Sequence, residues 1–150
     1  MKIVIQRVKS SSIEINKKIE SKINFGLLIL LGISIYDDIG DVEWLVKKTL
    51  NLRIFDDSEG VMNKSLIDTG GEILIVSQFT LLALTKKGNR PAYINSAKHD
   101  LAKPLYEKFI KLTKDKLGSK VKTGVFGADM KISLVNDGPV TIIIDSKNKE

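Results

Sequence analysis

Apolar and polar side chains alternate at the start of the chain. KIVIQRV (residues 2–8) and SSIEI (residues 11–15) follow this period of two, which predicts two β-strands that each bury one face. INFGLLILLGIS (residues 23–34) is instead apolar almost throughout and is bounded by turn residues, which predicts a strand buried on both faces. The pattern therefore predicts three strands before the first helix.

The hydrophobic period lengthens in DDIGDVEWLVKKTLNL (residues 37–52), which predicts an amphipathic helix with aspartates at its start. Its buried face is predicted from Val42, Leu45, Val46 and Thr49. A second helix is predicted to begin between His99 and Lys103, because Pro104 is favourable only in a first turn. Gly118 is its predicted C-terminal cap. The residues that define its apolar face are Leu101, Leu105, Phe109 and Leu112.

Short strands account for most of the remaining chain. They are predicted in VMNKSLI (61–67), EILIVSQFTLL (72–82), DMKISLV (129–135) and VTIII (140–144). The order β-β-β-α-β-β-α-β-β has too few helices to cover both faces of a parallel sheet. We therefore predict one α+β domain over residues 1–150, with a curved, barrel-like, mainly antiparallel sheet and two main helices on one side. A sheet surface or edge is expected to remain for a second subunit, and the polar tail SKNKE (146–150) is expected to fray.

Composition excludes several kinds of chemistry. The chain has no cysteine, which excludes disulfides and thiolate sites, and a single histidine, His99, which excludes multi-histidine metal motifs. His99 stands among lysines and an aspartate in SAKHD, which favours a solvated surface position over a catalytic one. The net charge of +6 is consistent with a polyanionic partner such as nucleic acid.

No segment of the sequence resembles a membrane span. The longest apolar run, GLLILLGI (26–33), is much shorter than a bilayer-crossing helix, and the chain opens directly on a strand pattern. We therefore expect a soluble, unprocessed, cytoplasmic protein that needs no cofactor and no obligatory metal.

A Gly-Pro pair interrupts the last predicted strands, in VNDGPVTIII (residues 135–144). Asn-Gly or Asp-Gly alone would serve a hairpin, because glycine supplies the positive φ that such turns require. Pro139 in addition removes a backbone donor, stiffens the chain and allows the bond after Gly138 to be cis at modest cost. On these residues alone, a plain turn and a functional element both remain open.

Polar groups also cluster in SQFTLL (77–82), where a predicted strand leaves the core. Two hydroxyls, an amide and an aromatic ring come from Ser77, Gln78, Phe79 and Thr80. Such a cluster is suited to a polar ligand that carries a flat group for the ring to pack on. The alternative is that the hydroxyls satisfy the strand end and that Phe79 belongs to the core.

Two segments, VSQFTLLALTKKGNRPAY (76–93) and FGADMKISLVNDGPVTIII (126–144), resemble the D-aminoacyl-tRNA deacylase family. They carry the two motifs of that family, SQFT and an Asn-X-Gly-Pro-Val-Thr segment. The opening IQRV, the RIF run after the first helix and the chain length are similar as well, so the likeness covers essentially the whole sequence. Asn89 and Ala92 depart from the residues that are frequent in the family, and both lie in the basic loop.

The resemblance implies a homodimeric editing hydrolase that cleaves the ester between a D-amino acid and the terminal adenosine of tRNA. It also implies removal of glycine mischarged on tRNA-Ala. In the family the Gly-Pro bond is cis and its dipeptide enters the active site of the other subunit, which assigns that role here to Gly138 and Pro139. Rigid backbone carbonyls would sense the α-carbon of any amino acid, so an L substituent collides whereas glycine is accepted.

Hydrolysis of an aminoacyl ester requires little more than oriented water and a stabilised oxyanion, because the ester is activated. We hypothesise that backbone N–H groups from Gln78 to Thr80 hold the reacting carbonyl and that the 2′-hydroxyl of the terminal ribose assists the water. The alternative makes Thr80 a covalent nucleophile, although no base for it is evident from the sequence.

Other candidate residues each keep a structural alternative. Met130 resembles a family position near the adenosine pocket, or is a core methionine on an alternating strand. Arg7 is a candidate brace for the Gly-Pro loop, or an exposed arginine on the first strand. Lys86, Lys87 and Arg90 are candidate contacts to acceptor-stem phosphates, or solvated loop residues.

Two rival functions belong to other classes. A non-catalytic RNA-binding or dimerisation module on the same fold would have the same charge and sheet, but it does not explain the intact SQFT and Gly-Pro pair. A small-molecule esterase is disfavoured because no Ser-His-Asp triad is recognisable.

Overall fold

Strand β1 (Lys2–Ile15) pairs with three other strands and organises the main sheet. The computed structural model describes residues 1–149, so that only Glu150 of the predicted domain lies outside the described part. The other strands are β2 (Lys18–Ile23), β3 (Gly26–Gly32), β4 (Phe55–Asp56), β5 (Met62–Lys64), β6 (Glu72–Ser77), β7 (Val121–Thr123) and β8 (Lys131–Asp145). The α-helices are α1 (Ile39–Asn51), α2 (Leu66–Thr69) and α3 (His99–Leu117), and short 3₁₀ helices cover Phe79–Leu82 and Gly118–Lys120.

The main sheet is a nearly closed barrel. One edge of β1 pairs antiparallel with β3 and then with β2, while its other edge pairs antiparallel with β8. β6 lies parallel to both β3 and β7, which gives the order β2-β1-β3-β6-β7. The two end strands approach each other where Ser21 Oγ of β2 donates a hydrogen bond to the Thr123 carbonyl of β7 at 2.6 Å. The predicted α+β fold with a barrel-like, mainly antiparallel sheet and two main helices is thus confirmed.

Two hydrophobic cores lie on the two faces of this sheet. Successive side chains of a strand point to opposite faces. On β3, Leu27 and Ile29 therefore pack with residues of α1 and α3, whereas Leu28 packs with Val8, Ile13, Ile23, Leu74 and Val76. The strand predicted to be buried on both faces is buried in this way along β3.

Helix α1 matches its sequence pattern. Val42, Leu45, Val46 and Thr49 are all buried, as predicted. Its start is fixed by reciprocal hydrogen bonds, in which Asp41 N–H donates to the Asp38 carboxylate at 3.2 Å and Asp38 N–H donates to the Asp41 carboxylate at 2.9 Å.

Helix α3 differs from its prediction in its buried face. The helix begins at His99, so Pro104 lies beyond the first turn. Leu105 and Phe109 are buried as predicted, but Leu101 is 39% exposed. The core side of the helix is centred one residue further along, on Ala102, Leu105, Tyr106, Phe109 and Thr113. Gly118 caps its end with a φ of 58°, as predicted. Within residues 1–149, no helix is both long and apolar enough to cross a bilayer.

Several predicted strand boundaries were wrong. The segments 2–8 and 11–15 form the single strand β1, because β8 pairs alongside both of them. Of the predicted strand 23–34, residues 26–32 form β3, whereas Ile23 is the last residue of β2. Strand β2 was missed because its sequence, KIESKI, is mostly polar. The predicted strand 72–82 ends at Ser77 and continues as a 3₁₀ turn.

Short elements were also misjudged. The predicted strand 61–67 contains β5 and then the start of α2, where Ser65 accepts a hydrogen bond from Asp68 N–H at 3.2 Å and so stops the strand. β7 was missed because three residues carry too little pattern to be recognised.

The Asn-Asp-Gly-Pro stretch does not reverse the chain. The two predicted strands 129–135 and 140–144 form the single strand β8, and both halves pair with β1. Between the pairs Gln6–Thr141 and Val8–Asn136, β1 advances two residues while β8 advances five, so β8 bulges by three residues at this point. The Gly138–Pro139 bond within the bulge is cis.

The prediction of a frayed tail was wrong for its first two residues. Ser146 Oγ accepts a hydrogen bond from the Met1 amino group at 2.8 Å, and Lys147 Nζ lies 2.7 Å from the Asp41 carboxylate. Burial disfavours the charged form of Asp41, but hydrogen bonds from Lys147, the Asp38 backbone and Ser146 outweigh it and lower the pKa of Asp41 to about 2.

Candidate active site

The SQFT segment lies where β6 ends. Ser77 is the last residue of β6, and Gln78 N–H still donates to the carbonyl of Leu31 in β3 at 2.8 Å. The chain then forms a 3₁₀ turn in which no side chain is fully buried, and Phe79 is 56% exposed. The parallel strands β3 and β6 therefore carry these residues from the core to the surface.

Hydrogen bonds and a ring contact fix this turn. Gln78 Nε2 donates to Thr80 Oγ1, and Ser96 Oγ donates to the carbonyl of Phe79 at 3.0 Å. The ring of Tyr93 meets that of Phe79 edge-on, with 5.0 Å between the centroids. The first hydrogen bond of the turn runs from Leu81 N–H to the Gln78 carbonyl, so the turn itself does not use the N–H groups of Phe79 and Thr80.

A cavity of about 390 Å³ opens beside the turn. Ser77, Gln78 and Phe79 line one side of the cavity. Ile132 of β8 and Met130, which directly precedes β8, line another side. The rest of the lining comes from the ends of β3 and β6, the start of α3 and the segment before β8, namely Leu31, Ile33, Val76, Ala97, His99, Ala102, Phe126, Gly127, Ala128 and Asp129. The cavity is thus mainly apolar, with polar groups concentrated at the SQFT turn and its rim.

The structure brings together most, but not all, of the predicted catalytic residues. Ser77, Gln78 and Phe79 share the cavity with Met130, a predicted substrate-binding residue, whereas Thr80 is not among its lining residues. His99 is exposed, as predicted, with 67% of its side chain accessible, but it also lines the cavity rim.

Sequence reasoning missed Phe126, against which the His99 ring packs edge-on at 5.5 Å between centroids. The only available signal was its place beside GADM in the resembling segment. Its position in the cavity depends on contacts with α3 that no local pattern shows.

A buried tyrosine anchors the strand that leads to the site. Tyr106 of α3 donates from its hydroxyl to the carbonyl of Ile75 in β6 at 2.9 Å. Burial raises the pKa of Tyr106 well above its usual value, so the hydroxyl stays protonated and keeps donating. The last residues of β6 before the SQFT turn are thereby fixed against α3.

The three predicted phosphate contacts lie together in an exposed loop. Lys86, Lys87 and Arg90 are all exposed. The loop is closed at its base by two backbone hydrogen bonds between Leu84 and Ala92, of 2.8 and 3.0 Å. Its base therefore adjoins the SQFT turn, although none of the three cations lines the cavity among the residues described.

The Gly-Pro bulge lies apart from this cavity in the same chain. Gly138 and Pro139 are exposed on β8, and within residues 1–149 neither lines the cavity beside the SQFT turn. The bulge adopts a conformation that requires glycine, because Gly138 has a φ of 131° and a Cβ there would lie 2.8 Å from Val140 Cγ2.

Arg7 lies beneath the bulge and is buried, which rules out the alternative of an exposed arginine. Its Nε donates to the Asp137 carbonyl at 3.0 Å and its Nη1 donates to the Ile54 carbonyl at 2.7 Å. Nη1 also lies 3.3 Å from the carboxylate of Asp56. The guanidinium thus joins the bulge to the chain that follows α1, while a role in substrate binding stays a prediction.

Asn136 spans the same bulge from the other side. Its Oδ1 accepts a hydrogen bond from Val140 N–H at 3.1 Å, and its Nδ2 donates to Thr141 Oγ1 at 3.0 Å. One amide side chain therefore connects the residues before and after Gly138 and Pro139, and together with Arg7 it holds the exposed dipeptide in one position.

Comparisons with known proteins identify the family of this chain. A family model described as D-Tyr-tRNA(Tyr) deacylase matches residues 4–145. Proteins named D-aminoacyl-tRNA deacylase from Flavobacterium psychrophilum and Parabacteroides distasonis are 61% and 59% identical, each over 100% of both chains. The class defined here is a hydrolase on a barrel-like α+β fold. The chain belongs to the D-Tyr-tRNA(Tyr) deacylase family.

Solved structures share the fold of this chain. A protein titled c-Myc DNA Unwinding Element Binding Protein superimposes with a TM-score of 0.93 and 39% identity, over 97% of this chain and 98% of the other. A probable eukaryotic D-amino acid tRNA deacylase superimposes with a TM-score of 0.82 over 95% of this chain and 97% of the other. Its 20% identity makes it evidence for the fold alone.

Proposed function

We propose that this protein hydrolyses the ester that joins a D-amino acid to the terminal adenosine of tRNA, releasing the free amino acid and tRNA. The observation that carries the proposal is the SQFT turn, which opens on a cavity. It occurs in a chain that is 61% identical over its full length to a protein named D-aminoacyl-tRNA deacylase. Such an activity would proofread the chirality of aminoacyl-tRNA in the cytoplasm.

The cavity is suited to the terminal nucleoside. Phe79 and Met130 line it together, and an aromatic ring and a polarizable thioether both pack well on a flat base. In the proposed complex these two residues flank the adenine, and the ester lies at the SQFT turn.

Hydrolysis then depends on the backbone of the turn. Water attacks the ester carbonyl carbon, the bond from that carbon to the ribose oxygen breaks, and the ribose oxygen takes up a proton. The N–H groups of Phe79 and Thr80 stabilise the oxyanion, because the Gln78 N–H already donates to the Leu31 carbonyl. The neighbouring 2′-hydroxyl of the ribose orients the water and relays the proton, so that no side-chain base is required.

Chiral selection is assigned to the bulge of a second copy of the chain. The exposed positions of Gly138 and Pro139, outside the cavity of their own chain, support insertion into a partner's cavity in a homodimer. Arg7 and Asn136 hold the bulge, so an L side chain that meets it would not displace it. Glycine presents no side chain to collide, and glycine mischarged on tRNA-Ala is therefore also accepted.

Incubation with D-tyrosyl-tRNA and L-tyrosyl-tRNA tests the activity. We expect rapid release of D-tyrosine and little release of L-tyrosine above the rate without protein. Protection of both esters would instead identify a non-catalytic RNA-binding module.

A simple D-tyrosine ester without RNA completes the comparison. Equal turnover of this ester and of D-tyrosyl-tRNA would indicate a small-molecule esterase and overturn the proposal. Phe79→Ala serves as the site control, because it removes the ring from the cavity while leaving the core intact.

A further inference from the structure

The SQFT turn is held from outside by a short segment that no motif includes. We call residues 92–97 the strap. It pairs with the chain after β3, where Ala97 N–H donates to the Ile33 carbonyl at 2.8 Å and Ile35 N–H donates to the Asn95 carbonyl at 3.1 Å. The strap is therefore anchored to the main sheet, and contacts from it to the turn transmit that anchoring.

Ser96 makes the direct contact from the strap to the turn. Its Oγ donates to the Phe79 carbonyl at 3.0 Å. This is the side-chain hydrogen bond that joins the strap to the SQFT turn within the described residues. The Ser96 backbone also bridges to Ser34, which restricts where the hydroxyl can reach. The Phe79 carbonyl thus has a fixed donor although the turn itself has no buried side chain.

The peptide bond makes this contact relevant to the chemistry. A trans peptide is planar, so its carbonyl and its N–H point in opposite directions. A donor that fixes the Phe79 carbonyl therefore also fixes the direction of the Thr80 N–H. A hydrogen bond to the carbonyl further polarises the amide and makes its N–H a better donor.

We infer that Ser96 is a positioning residue, which orients the Phe79–Thr80 peptide for oxyanion stabilisation and, with Tyr93, sets the angle of the Phe79 ring. The inference rests on the proposed function, because it assigns Ser96 a part in that same reaction. Ser96 acts through the backbone of Phe79 and does not itself touch the reacting atoms.

The strap also links two parts of the site that the sequence leaves separate. Its first residue, Ala92, closes the base of the basic loop by pairing with Leu84. Tyr93 follows directly and packs on Phe79. Phosphate contacts made by the loop are thus connected to the SQFT turn through a few residues of anchored chain.

Single-turnover and steady-state hydrolysis of D-tyrosyl-tRNA by Ser96→Ala and Ser96→Thr test this role. We expect Ser96→Ala to lower kcat about three- to tenfold, the effect of losing one neutral hydrogen bond, with KM little changed. Ser96→Thr retains a hydroxyl and is expected to restore kcat to near the wild-type value. Ser119→Ala, at an exposed serine after α3, is the matched control and should behave as wild type.

The outcomes separate this inference from the proposed function. Wild-type protein that releases no D-tyrosine would overturn the proposed function itself. Active wild-type protein with an unchanged kcat for Ser96→Ala would overturn only the role of Ser96. A fall in kcat that Ser96→Thr does not restore, or one accompanied by a matching rise in KM and a lower Tm, would show a merely structural contact and also overturn it.

Discussion

Arg7 Nε donates a hydrogen bond to the carbonyl of Asp137 at 3.0 Å and so connects the middle of β1 to the bulge of β8. The bond is partly buried, whereas the neighbouring pair between Lys9 Nζ and the Asp137 carboxylate, at 3.7 Å, is exposed on the lysine side. Two cations, on Arg7 and Lys9, thus approach Asp137 in different environments. Substituting each one separately therefore distinguishes their contributions to the stability of the bulge.

Arg7→Lys is expected to weaken the bulge. Lysine retains the charge but cannot reach the Asp137 and Ile54 carbonyls together, so the free energy of unfolding should fall by about 1–3 kcal/mol. In the proposed enzyme, release of L-tyrosine should rise relative to D-tyrosine. Urea unfolding and the two-substrate assay measure these effects. Lys9→Ala is the control, and a loss of stability or selectivity as large as that of Arg7→Lys would contradict the role of the two hydrogen bonds from Arg7.

Gly138→Ala is expected to move the bulge. Alanine is disfavoured at a φ of 131°, and its Cβ would also lie 3.2 Å from Arg7 Nη2. We expect the D/L selectivity to fall by about tenfold, equivalent to about 1.4 kcal/mol. Gly60→Ala is a control with a similarly positive φ of 76° and nothing within 4 Å of the added Cβ. Unchanged selectivity in Gly138→Ala would remove the bulge from the discrimination.

Mixed dimers test whether the bulge acts across subunits. Phe79→Ala subunits retain the bulge but have a defective cavity, so activity in mixtures with Gly138→Ala comes from the Gly138→Ala cavities. If the bulge acts on the partner, excess Phe79→Ala protein should raise the D/L selectivity of the mixture towards wild type. Selectivity that stays at the Gly138→Ala value after subunit exchange would place the bulge's action within one chain.

Thr80→Ala should leave most of the activity. The hydroxyl of Thr80 accepts a hydrogen bond from the Gln78 amide, which is not a base, and Thr80 does not line the cavity. We expect kcat to stay within about tenfold of wild type, whereas a substrate with a 2′-deoxy terminal ribose should react about 10²- to 10⁴-fold more slowly. Complete loss in a folded Thr80→Ala protein, with an unaffected deoxy substrate, would favour the covalent mechanism.

The basic loop should govern the salt dependence of tRNA binding. Replacing Lys86, Lys87 and Arg90 by alanine removes three exposed cations, so the slope of log K against log salt should become shallower by about 2–3. Filter binding over a range of KCl concentrations measures it. A charge-matched control replaces the exposed lysines 111, 114 and 116 on α3. Equal slopes for the two triple variants would show that the loop makes no special phosphate contacts.

Acid should remove the stabilisation that Asp41 provides. Its folded pKa of about 2 lies below the ordinary value of 3.8, so its contribution is complete above about pH 4 and is lost as the pH falls towards 2. The shift in pKa corresponds to about 2 kcal/mol of stability. The free energies of unfolding of wild type and Asp41→Asn, measured with urea, should therefore converge by about 2 kcal/mol between pH 5 and 2. A difference between them that is independent of pH would contradict this assignment. Lys131→Met, which removes an exposed ion pair, is a control.

Elements with a local signal could be predicted from the sequence. The helical spacing of Val42, Leu45, Val46 and Thr49 and the unbroken apolar run of β3 each follow from which faces must leave water, and both were recognised. SQFT and the Gly-Pro pair were recognised through their resemblance to the motifs of a known family, because their residue types alone left a plain strand end and a plain turn open. Strand limits were less predictable, since β1 and β8 are continuous only because each supports the other.

How these pieces meet depends on contacts between distant segments, which the sequence pattern does not show. Arg7 reads from sequence as a polar position on an alternating strand, and it is buried only because the bulge and the chain after α1 supply carbonyls for its guanidinium. Phe126 and Ser96 gained their positions through contacts with distant elements, His99 and Phe79 respectively. Local patterns record which side chains avoid water, whereas a site depends on the direction of individual donors and rings, which the packing of distant segments fixes.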